Sequence, residues 1–92
     1  MIKSIKHKGL SKFHKTGNTS GIQSKHAKRL CLQLTILESA VYKEDLNRPG
    51  FNLHQLKGEY KGRYAISVSG NWRLTFEFRN GNVYVLDYED YH

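Results

Sequence analysis

The residues at the end of the chain have the side chains for acid–base chemistry beside a bound anion. Asp90, Tyr91 and His92 are the last three residues, and Arg73 lies in an extended pattern upstream. A histidine moves protons near neutral pH because its unperturbed pKa is about 6.5. The guanidinium of an arginine offers a fork of donors that matches phosphate oxygens. The simpler interpretation is that a half-solvated sheet face is normally polar and that terminal residues often fray.

These residues belong to a segment, 64–92, that has the pattern of a three-stranded antiparallel meander. Three runs rich in β-branched and aromatic residues are separated by two turns that contain glycine. Asn80-Gly81 is the stronger turn signal, because both central residues of a type I′ hairpin need positive φ. With a three-residue loop at 69–71, the predicted pairs are Val68 with Trp72, Ile66 with Leu74, Tyr64 with Phe76, Phe78 with Val83, and Phe76 with Val85.

Alternation of side chains along the strands divides the meander into two faces. The apolar face, predicted to be the core, holds Ile66, Val68, Trp72, Leu74, Phe76, Phe78, Val83 and Val85. The second face holds Ser67, Arg73, Thr75, Glu77, Tyr84, Leu86 and Tyr88, and an extended last strand adds Asp90 and His92. The pattern therefore predicts that Arg73, Asp90 and His92 share one face, while Tyr91 points the other way.

An amphipathic helix is predicted to cover the apolar face. Apolar residues recur at three- and four-residue spacing over residues 24–42. Its predicted outer side holds Lys25, Lys28, Arg29 and Gln33. A short strand in residues 1–7 and a short helix over 9–15 precede it. The predicted fold is α+β, with an N-terminal strand and two helices on one face of a mostly antiparallel sheet, in a single domain of 92 residues.

The net charge of +7 is distributed unevenly. Residues 1–37 carry eight Lys and Arg and no acid, whereas residues 38–92 carry seven basic and eight acidic groups, so the two parts are +8 and −1. A field of a single sign in a small domain favours polyanions, here nucleic acid or the ribosome. The alternatives are a solubilising surface or one that meets an acidic protein.

Other features of the sequence argue against several classes of protein. The lone cysteine, Cys31, rules out an internal disulfide and lies in the helical pattern, so we expect a small buried residue. The lysine-rich start has no apolar region of a secretory signal, and no run approaches the ~20 apolar residues of a membrane span. We therefore expect a soluble cytoplasmic protein. His7, His14 and His26 share no helical spacing and have no carboxylate partners, so neither a metal site nor a cofactor is predicted.

Four ordered motifs carry a resemblance to a known family. They are Leu-Asn-Arg at 46–48, Leu-x-x-Leu-Lys-Gly at 53–58, Asn-Trp-Arg-Leu-x-Phe at 71–76 and the ending Asp-Tyr-Glu-Asp-Tyr-His. Over nearly the whole chain they resemble HigB-type toxins of the RelE/ParE superfamily. The resemblance implies a RelE-like fold and the toxin of a type II toxin–antitoxin pair. Such a toxin is a ribosome-dependent endoribonuclease that cuts mRNA in the A site, and a helix-turn-helix HigA-type antitoxin holds it inactive.

The resemblance also implies site residues. Matching positions are His54, Asn71, Asp90, Tyr91 and His92, with Lys57 and Arg73 as the cationic pair. Cutting RNA without a metal needs a base for the ribose 2′-proton, a cation for the phosphorane charge and an acid for the 5′-oxygen. His92 is the principal proton carrier in this assignment and His54 the second, while Arg73 and Lys57 hold the phosphate. Asp90 would fix the His92 ring, and Asn71 and Tyr91 would position the nucleotide.

Simpler roles exist for the same residues. His54 fits a solvent-facing strand residue, Lys57 a turn lysine, and Arg73 a cover for the sheet. The chain also departs from many relatives, which have an arginine at or near the positions of Ser67 and Ser69. Arg63 is the candidate to supply that charge.

Two other classes of function stay open from the sequence. One is a binding module that sits on the ribosome, on RNA or on an acidic partner without cutting. The other is a toxin of the same fold that poisons DNA gyrase, as ParE-type toxins do. The terminal His–Asp pair favours the nuclease, because a non-nucleolytic toxin has no evident use for it.

Overall fold

Two helices precede a four-stranded antiparallel sheet in this protein. The structure, a computed structural model, describes residues 1–57 and 62–90. The helices are α1 (Lys8–Thr16) and α2 (Ala27–Ser39), and 3-10 turns span Ser24–His26 and Lys43–Leu46. The strands are β1 (His54–Gln55), β2 (Arg63–Ser69), β3 (Trp72–Arg79) and β4 (Asn82–Asp90), in the order β1-β2-β3-β4. The predicted α+β class is confirmed; Tyr91 and His92 lie outside the described residues.

Both predicted helices are present; α1 is one residue longer at each end than predicted, and α2 is shorter. His7 is the N-cap of α1, since its Nδ1 accepts a hydrogen bond from the Leu10 amide at 3.0 Å. Gly17 ends α1 in the left-handed region at φ 80°. The predicted helix over 24–42 begins instead with the 3-10 turn at Ser24–His26, and it ends where Ala40 adopts an extended conformation.

The core lies between α2 and one face of the sheet. Leu30, Leu34 and Leu37 of α2 are buried in one cluster with side chains from all three long strands. The sheet residues of that cluster are Ile66, Val68, Leu74, Phe76, Val83, Leu86 and Tyr88. Burial of this apolar surface is what stabilises a helix too short to persist alone.

The hairpin between β2 and β3 differs from the prediction at its turn. Ser69, not Val68, is the partner of Trp72, so the turn has two residues, and Val68 is an extra residue in β2. Beyond this bulge the predicted pairs Ile66–Leu74 and Tyr64–Phe76 are confirmed. The predicted three-residue loop is wrong. The two-residue turn together with the extra residue in β2 gives the same pairing further along the strands as a three-residue loop would.

The β2 bulge is held by α2. Arg29 donates to the carbonyl oxygens of Val68 at 3.2 Å and Ser67 at 3.3 Å, and Gln33 donates to Ser67 at 2.7 Å. Gln33 is fully buried, and the Arg29 guanidinium lies 5.1 Å from the centre of the Phe51 ring. The prediction that Arg29 and Gln33 occupy the outer side of the helix is therefore wrong, because carbonyl groups at the bulge need donors.

A second bulge in β4 changes which residues face the core. Phe78 pairs with Val83 as predicted, but the next pairs are Glu77–Tyr84 and Thr75–Asp87, so β4 carries one extra residue. Val85 at this point has a φ of 52°, which is rare for a β-branched residue. The predicted pair Phe76–Val85 is wrong. Beyond the bulge every side chain of β4 projects to the face opposite the predicted one, and Leu86 and Tyr88 therefore lie in the core.

The N-terminal segment pairs with β4 at its bulge. Ile2 and Ile5 form isolated parallel bridges with Val83 and Leu86, in place of the continuous strand that was predicted. The hydroxyl of Ser4 accepts a hydrogen bond from the Val85 amide at 2.8 Å. This bond satisfies an amide that the irregular ladder leaves without a strand partner.

Two surface features complete the description. No helix among residues 1–57 and 62–90 combines the length and the apolar character that a membrane crossing needs. Cys31 is exposed on α2, contrary to the prediction, because it lies beside the buried stripe rather than on it.

Leu34 and Leu32 allow a matched test of the core. Leu34 is 5% exposed and Leu32 is 51% exposed on the same helix. Leu34→Asp should lower the free energy of unfolding by more than about 4 kcal/mol, because it removes core packing and buries a carboxylate. Leu32→Asp should change it by less than about 1 kcal/mol. Urea unfolding followed by circular dichroism checks both, and equal curves for the two variants would contradict this core.

Val85→Gly tests the bulge in β4. Relief of the positive φ, about 1–2 kcal/mol, should offset the lost valine contacts and the flexibility of glycine. Its free energy of unfolding should therefore stay within about 1 kcal/mol of the unmodified protein. Val83→Gly, at a fully buried position with ordinary strand geometry, should cost roughly 3 kcal/mol. A comparable loss in both variants would mean that Val85 does not adopt the left-handed conformation.

Candidate active face

The sheet face opposite the helices brings together the charged residues of the strands. Residues that are partners across antiparallel strands project to the same side. One row across the sheet contains Ser67, Arg73 and Glu89, and the next contains His54, Ala65, Thr75 and Asp87. A third row contains Arg63, Glu77 and Tyr84. We call this side the outer sheet face, and it is the candidate active face.

His54 and Arg73 share this face, as the resemblance implied for one site. Their rows are adjacent, roughly 7 Å apart along the strands, and β2 separates the strands that carry them. Asn52 also links the two rows, since its side-chain amide donates to the Ser67 hydroxyl at 3.3 Å. An imidazole and a guanidinium therefore project from one face of the sheet, two strands or roughly 10 Å apart across it.

The hydrogen bond of the His54 ring indicates which nitrogen is available. Nδ1 lies 2.9 Å from the carbonyl oxygen of Asn52, and the residue is exposed. Because a carbonyl only accepts hydrogen bonds, Nδ1 carries a proton in this contact. Nε2 is then the nitrogen that can exchange a proton with a substrate.

A pocket of about 290 Å³ opens on the outer sheet face beside these residues. Its lining is Lys6, Leu56, Arg63, Thr75 and Glu89. Lys6 reaches it from the N-terminal segment, and Leu56 comes from the residue after β1, where its amide donates to the Arg63 carbonyl at 2.9 Å. This set could not be recognised in the sequence, because Glu89 lies opposite Arg73 only through the bulge at Val85.

Asp90 does not lie on the outer sheet face. Its partner is Trp72, one residue out of phase with the Arg73–Glu89 pair, so Asp90 and Arg73 project to opposite sides. The charge of Asp90 also raises the pKa of the Tyr88 phenol, after the larger effect of burial, which fits a shared side with Tyr88. The predicted common face of Arg73 and Asp90 is therefore wrong, because the bulge shifts the alternation. The predicted places of Tyr91 and His92 fall outside the described residues.

The remaining two predicted residues lie at opposite ends of the face. Asn71 is exposed in the turn that leads into β3, two residues before Arg73. Lys57 is exposed just after β1, next to the row of Arg63. That row is roughly 13 Å along the strands from the row of Arg73. The structure thus places Asn71 near Arg73 and does not bring Lys57 beside it.

A buried aromatic cluster on the helix side was missed by the sequence analysis. His26 is 3% exposed, and its Nδ1 lies 2.6 Å from the Tyr88 hydroxyl. The Tyr88 ring stacks on Trp72 with centroids 4.5 Å apart, and the His7 ring meets its edge at 5.3 Å. This cluster packs the end of β4 against the N-terminal half. The cluster depends on the bulge in β4, which directs the Tyr88 side chain into the core, and the sequence does not indicate that bulge.

No three His, Cys, Asp or Glu side chains converge as a metal-binding group within residues 1–57 and 62–90. The polar side chains on the outer sheet face are instead arginines, which donate hydrogen bonds, carboxylates, which accept them, and His54. This set is suited to binding a phosphate-containing chain and to moving protons beside it.

Comparison with known proteins shows the family to which the chain belongs. A family model described as the RelE-like toxin of the type II toxin–antitoxin system HigB matches residues 3–92. The chain therefore belongs to the HigB-like toxin family, and a toxin of this class has a cognate antitoxin. It is 46% identical over 92 residues to a protein of Proteus vulgaris named Endoribonuclease HigB, with both chains covered completely.

His26 should make stability depend on pH. Burial, and then the nearby charge of Lys25, lower the pKa of His26 from its usual 6.5. The unfolded chain therefore binds a proton first as the pH falls, so the free energy of unfolding should decrease below about pH 6.5 and level off below the folded pKa. His26→Gln should flatten this decrease. His14→Gln, at an exposed position on α1, is the control. An unchanged pH profile in His26→Gln would contradict the assignment.

Proposed function

We propose that this chain, as a single toxin domain over residues 1–92, is a ribosome-dependent endoribonuclease that cuts mRNA in the ribosomal A site. A HigA-type helix-turn-helix antitoxin is the proposed inhibitor. Membership of the HigB-like family and the name of the Proteus vulgaris relative support the proposal. The structural observation that carries it is the shared face of His54 and Arg73, with the His54 Nε2 available for a proton.

The reaction we propose is attack by the ribose 2′-oxygen on the adjacent phosphorus. The bond from the 2′-oxygen to phosphorus forms, and the bond from phosphorus to the 5′-oxygen breaks. A base accepts the 2′-proton, and an acid gives a proton to the departing 5′-oxygen. The products are a 2′,3′-cyclic phosphate and a 5′-hydroxyl. Side chains supply the base, the acid and the cation in this scheme, which therefore uses no metal.

Arg73 and His54 take the central roles. Arg73 would hold the non-bridging oxygens, where negative charge grows in the transition state and where a charge-assisted hydrogen bond is worth most. His54 would act through Nε2 as one of the two proton carriers. The row of Arg63, next to Lys57, lies roughly 13 Å along the strands from the row of Arg73. We therefore assign Lys57 to the message backbone on that side rather than to the reacting phosphate.

The other family-matched residues complete the proposal. His92 would be the second and principal proton carrier. Asp90, which lies on the same side of β4 as Tyr88, would fix the His92 ring. Asn71, in the turn before β3, would position the nucleotide next to the phosphate held by Arg73. Tyr91 would position a nucleotide by stacking on a base.

The basic N-terminal half supports a second contact, with ribosomal RNA. Residues 1–37 carry eight Lys and Arg and no acid. The exposed lysines of this half lie on the N-terminal segment and around both helices, including Lys8, Lys12, Lys15, Lys25 and Lys28. Such a cationic layer attracts a polyanion and speeds encounter with it. In this proposal the helices face the ribosome while the outer sheet face meets the message.

Primer extension on a translated mRNA tests the proposal. The unmodified protein should leave breaks at A-site codons. His54→Gln and Arg73→Gln should each lower the rate of cutting by about 10²–10⁴-fold, because each removes a group that acts in the transition state. His14→Gln and Arg79→Gln, at exposed positions away from the predicted site, should cut normally. A thermal melt of each variant separates loss of activity from loss of fold.

Other outcomes would identify the other classes. A stalled but intact message would show a binding module that does not cut. Inhibition of DNA supercoiling, with no breaks in mRNA, would indicate a gyrase poison. Full cutting by both His54→Gln and Arg73→Gln would remove the outer sheet face from the mechanism even if the protein is a nuclease.

A further inference from the structure

We infer that the pocket lined by Lys6, Leu56, Arg63, Thr75 and Glu89 reads a base of the message, and that it selects adenine or cytosine over uracil. The inference rests on the proposed function, since it assigns a base-reading site to the same nuclease. We call this site the Glu89 pocket.

The position of the Glu89 pocket suits a base next to the reacting phosphate. Glu89 is the direct partner of Arg73 across β3 and β4, so their backbones are about 5 Å apart on the same face. Thr75 follows Arg73 by two residues on β3 and projects to the same side, roughly 7 Å further along. A phosphate on Arg73 therefore leaves the pocket within the reach of the attached nucleotide. Its volume of about 290 Å³ has room for one base.

Two polar groups in the pocket have hydrogen-bonding capacity that the described part of the chain leaves unused. Thr75 is 1% exposed, and its hydroxyl has no hydrogen-bond partner among residues 1–57 and 62–90. A buried hydroxyl without a partner is costly, so its retention needs an explanation. The half-buried Glu89 carboxylate likewise makes no hydrogen bond or ion pair with a residue in those ranges. A ligand that enters the pocket can satisfy both.

The chemistry of these groups defines the base. A carboxylate only accepts hydrogen bonds, so Glu89 requires a donor, and the exocyclic amino groups of adenine and cytosine supply one beside an unprotonated ring nitrogen. In guanine and uracil the ring nitrogen on the Watson–Crick edge carries a proton instead. The hydroxyl of Thr75 can donate to the ring nitrogen beside that amino group. Uracil instead places a carbonyl oxygen where the amino group would be, opposite the carboxylate. Leu56 provides an apolar contact for the base, and single-stranded RNA is commonly read by its base edges in this way.

The charge of the pocket fits a nucleotide rather than a free anion. Lys6 and Arg63 bring positive charge to the lining, which attracts the backbone, while Glu89 would repel a phosphate that entered deeply. The phosphate therefore belongs with Arg73 and the base with Glu89. This separation distinguishes the Glu89 pocket from the phosphate site on the same face.

Sequencing the 5′ ends of cut messages tests the inference. A translated mRNA library with randomised codons is exposed to the unmodified protein, Glu89→Gln, Thr75→Val and Glu77→Gln. In the unmodified protein, one position of the cut codon should favour adenine and cytosine over uracil. Glu89→Gln should lower this preference by about tenfold, because an amide can also donate to the uracil oxygen. Thr75→Val keeps the size of the side chain and should weaken the preference at the same position.

Glu77→Gln is the matched control, since Glu77 lies on the same face but outside the pocket, 4.0 Å from Arg79. It should keep the preference of the unmodified protein. If the unmodified protein cuts but Glu89→Gln has the same base preference, or if guanine or uracil is favoured at that position, the inference is wrong and the proposed function stands. If the unmodified protein does not cut translated mRNA, both are wrong.

Discussion

The extra residue at Val85 decides which side chains share a face with Arg73. Without it, Leu86, Tyr88 and Asp90 would continue on the side of Tyr84. With it, Leu86 and Tyr88 enter the core, and Asp87 and Glu89 come to the outer sheet face. The bulge places a valine at positive φ, a conformation that costs about 1–2 kcal/mol. Such strain persists only where the surroundings fix it, and here Ser4 binds the Val85 amide at 2.8 Å.

The helical layer fixes the other irregularity of the sheet. Arg29 and Gln33 donate to carbonyl oxygens at the bulge in β2, and they are the only polar groups of α2 that the hydrogen bonds among the described residues connect to the sheet. This bulge sets Ser67 opposite Arg73. The N-terminal half therefore does more than cover a core. It holds each irregular strand in register, β2 through α2 and β4 through Ser4.

Regular local patterns made part of the fold predictable from the sequence. The Asn-Gly turn fixed the Phe78–Val83 pair, and apolar alternation identified the core side of β2 and β3. The bulges could not be predicted. Val68 and Val85 are ordinary strand residues by type, and their irregular places depend on Arg29, Gln33 and Ser4, which are remote in sequence. The sequence therefore predicts regular strands at both positions. Without the extra residue at Val85, it assigns Asp90 to the wrong face.

The candidate site was predictable in the same uneven way. His54 and Arg73 came from the ordered motifs, and the structure brings them to one face. Their proximity could not have been worked out from spacing, since β1 pairs with β2 across a long connection. Glu89 and Thr75 were overlooked because neither residue type stands out in a strand. Their significance appears only when Glu89 is found opposite Arg73 and the Thr75 hydroxyl is found buried without a partner in the described residues.

In the proposed function the outer sheet face, rather than the helical layer, meets the message. A ribosome-bound mRNA with a photoreactive nucleotide in its A-site codon, and 2′-O-methyl groups there to prevent cutting, tests this claim directly. Mass spectrometry of the crosslinked protein should find the nucleotide attached to peptides of β2, β3 or β4 that carry Arg63, Arg73 or Glu89. Attachment to α1 or α2, with those peptides unmodified, would contradict the account.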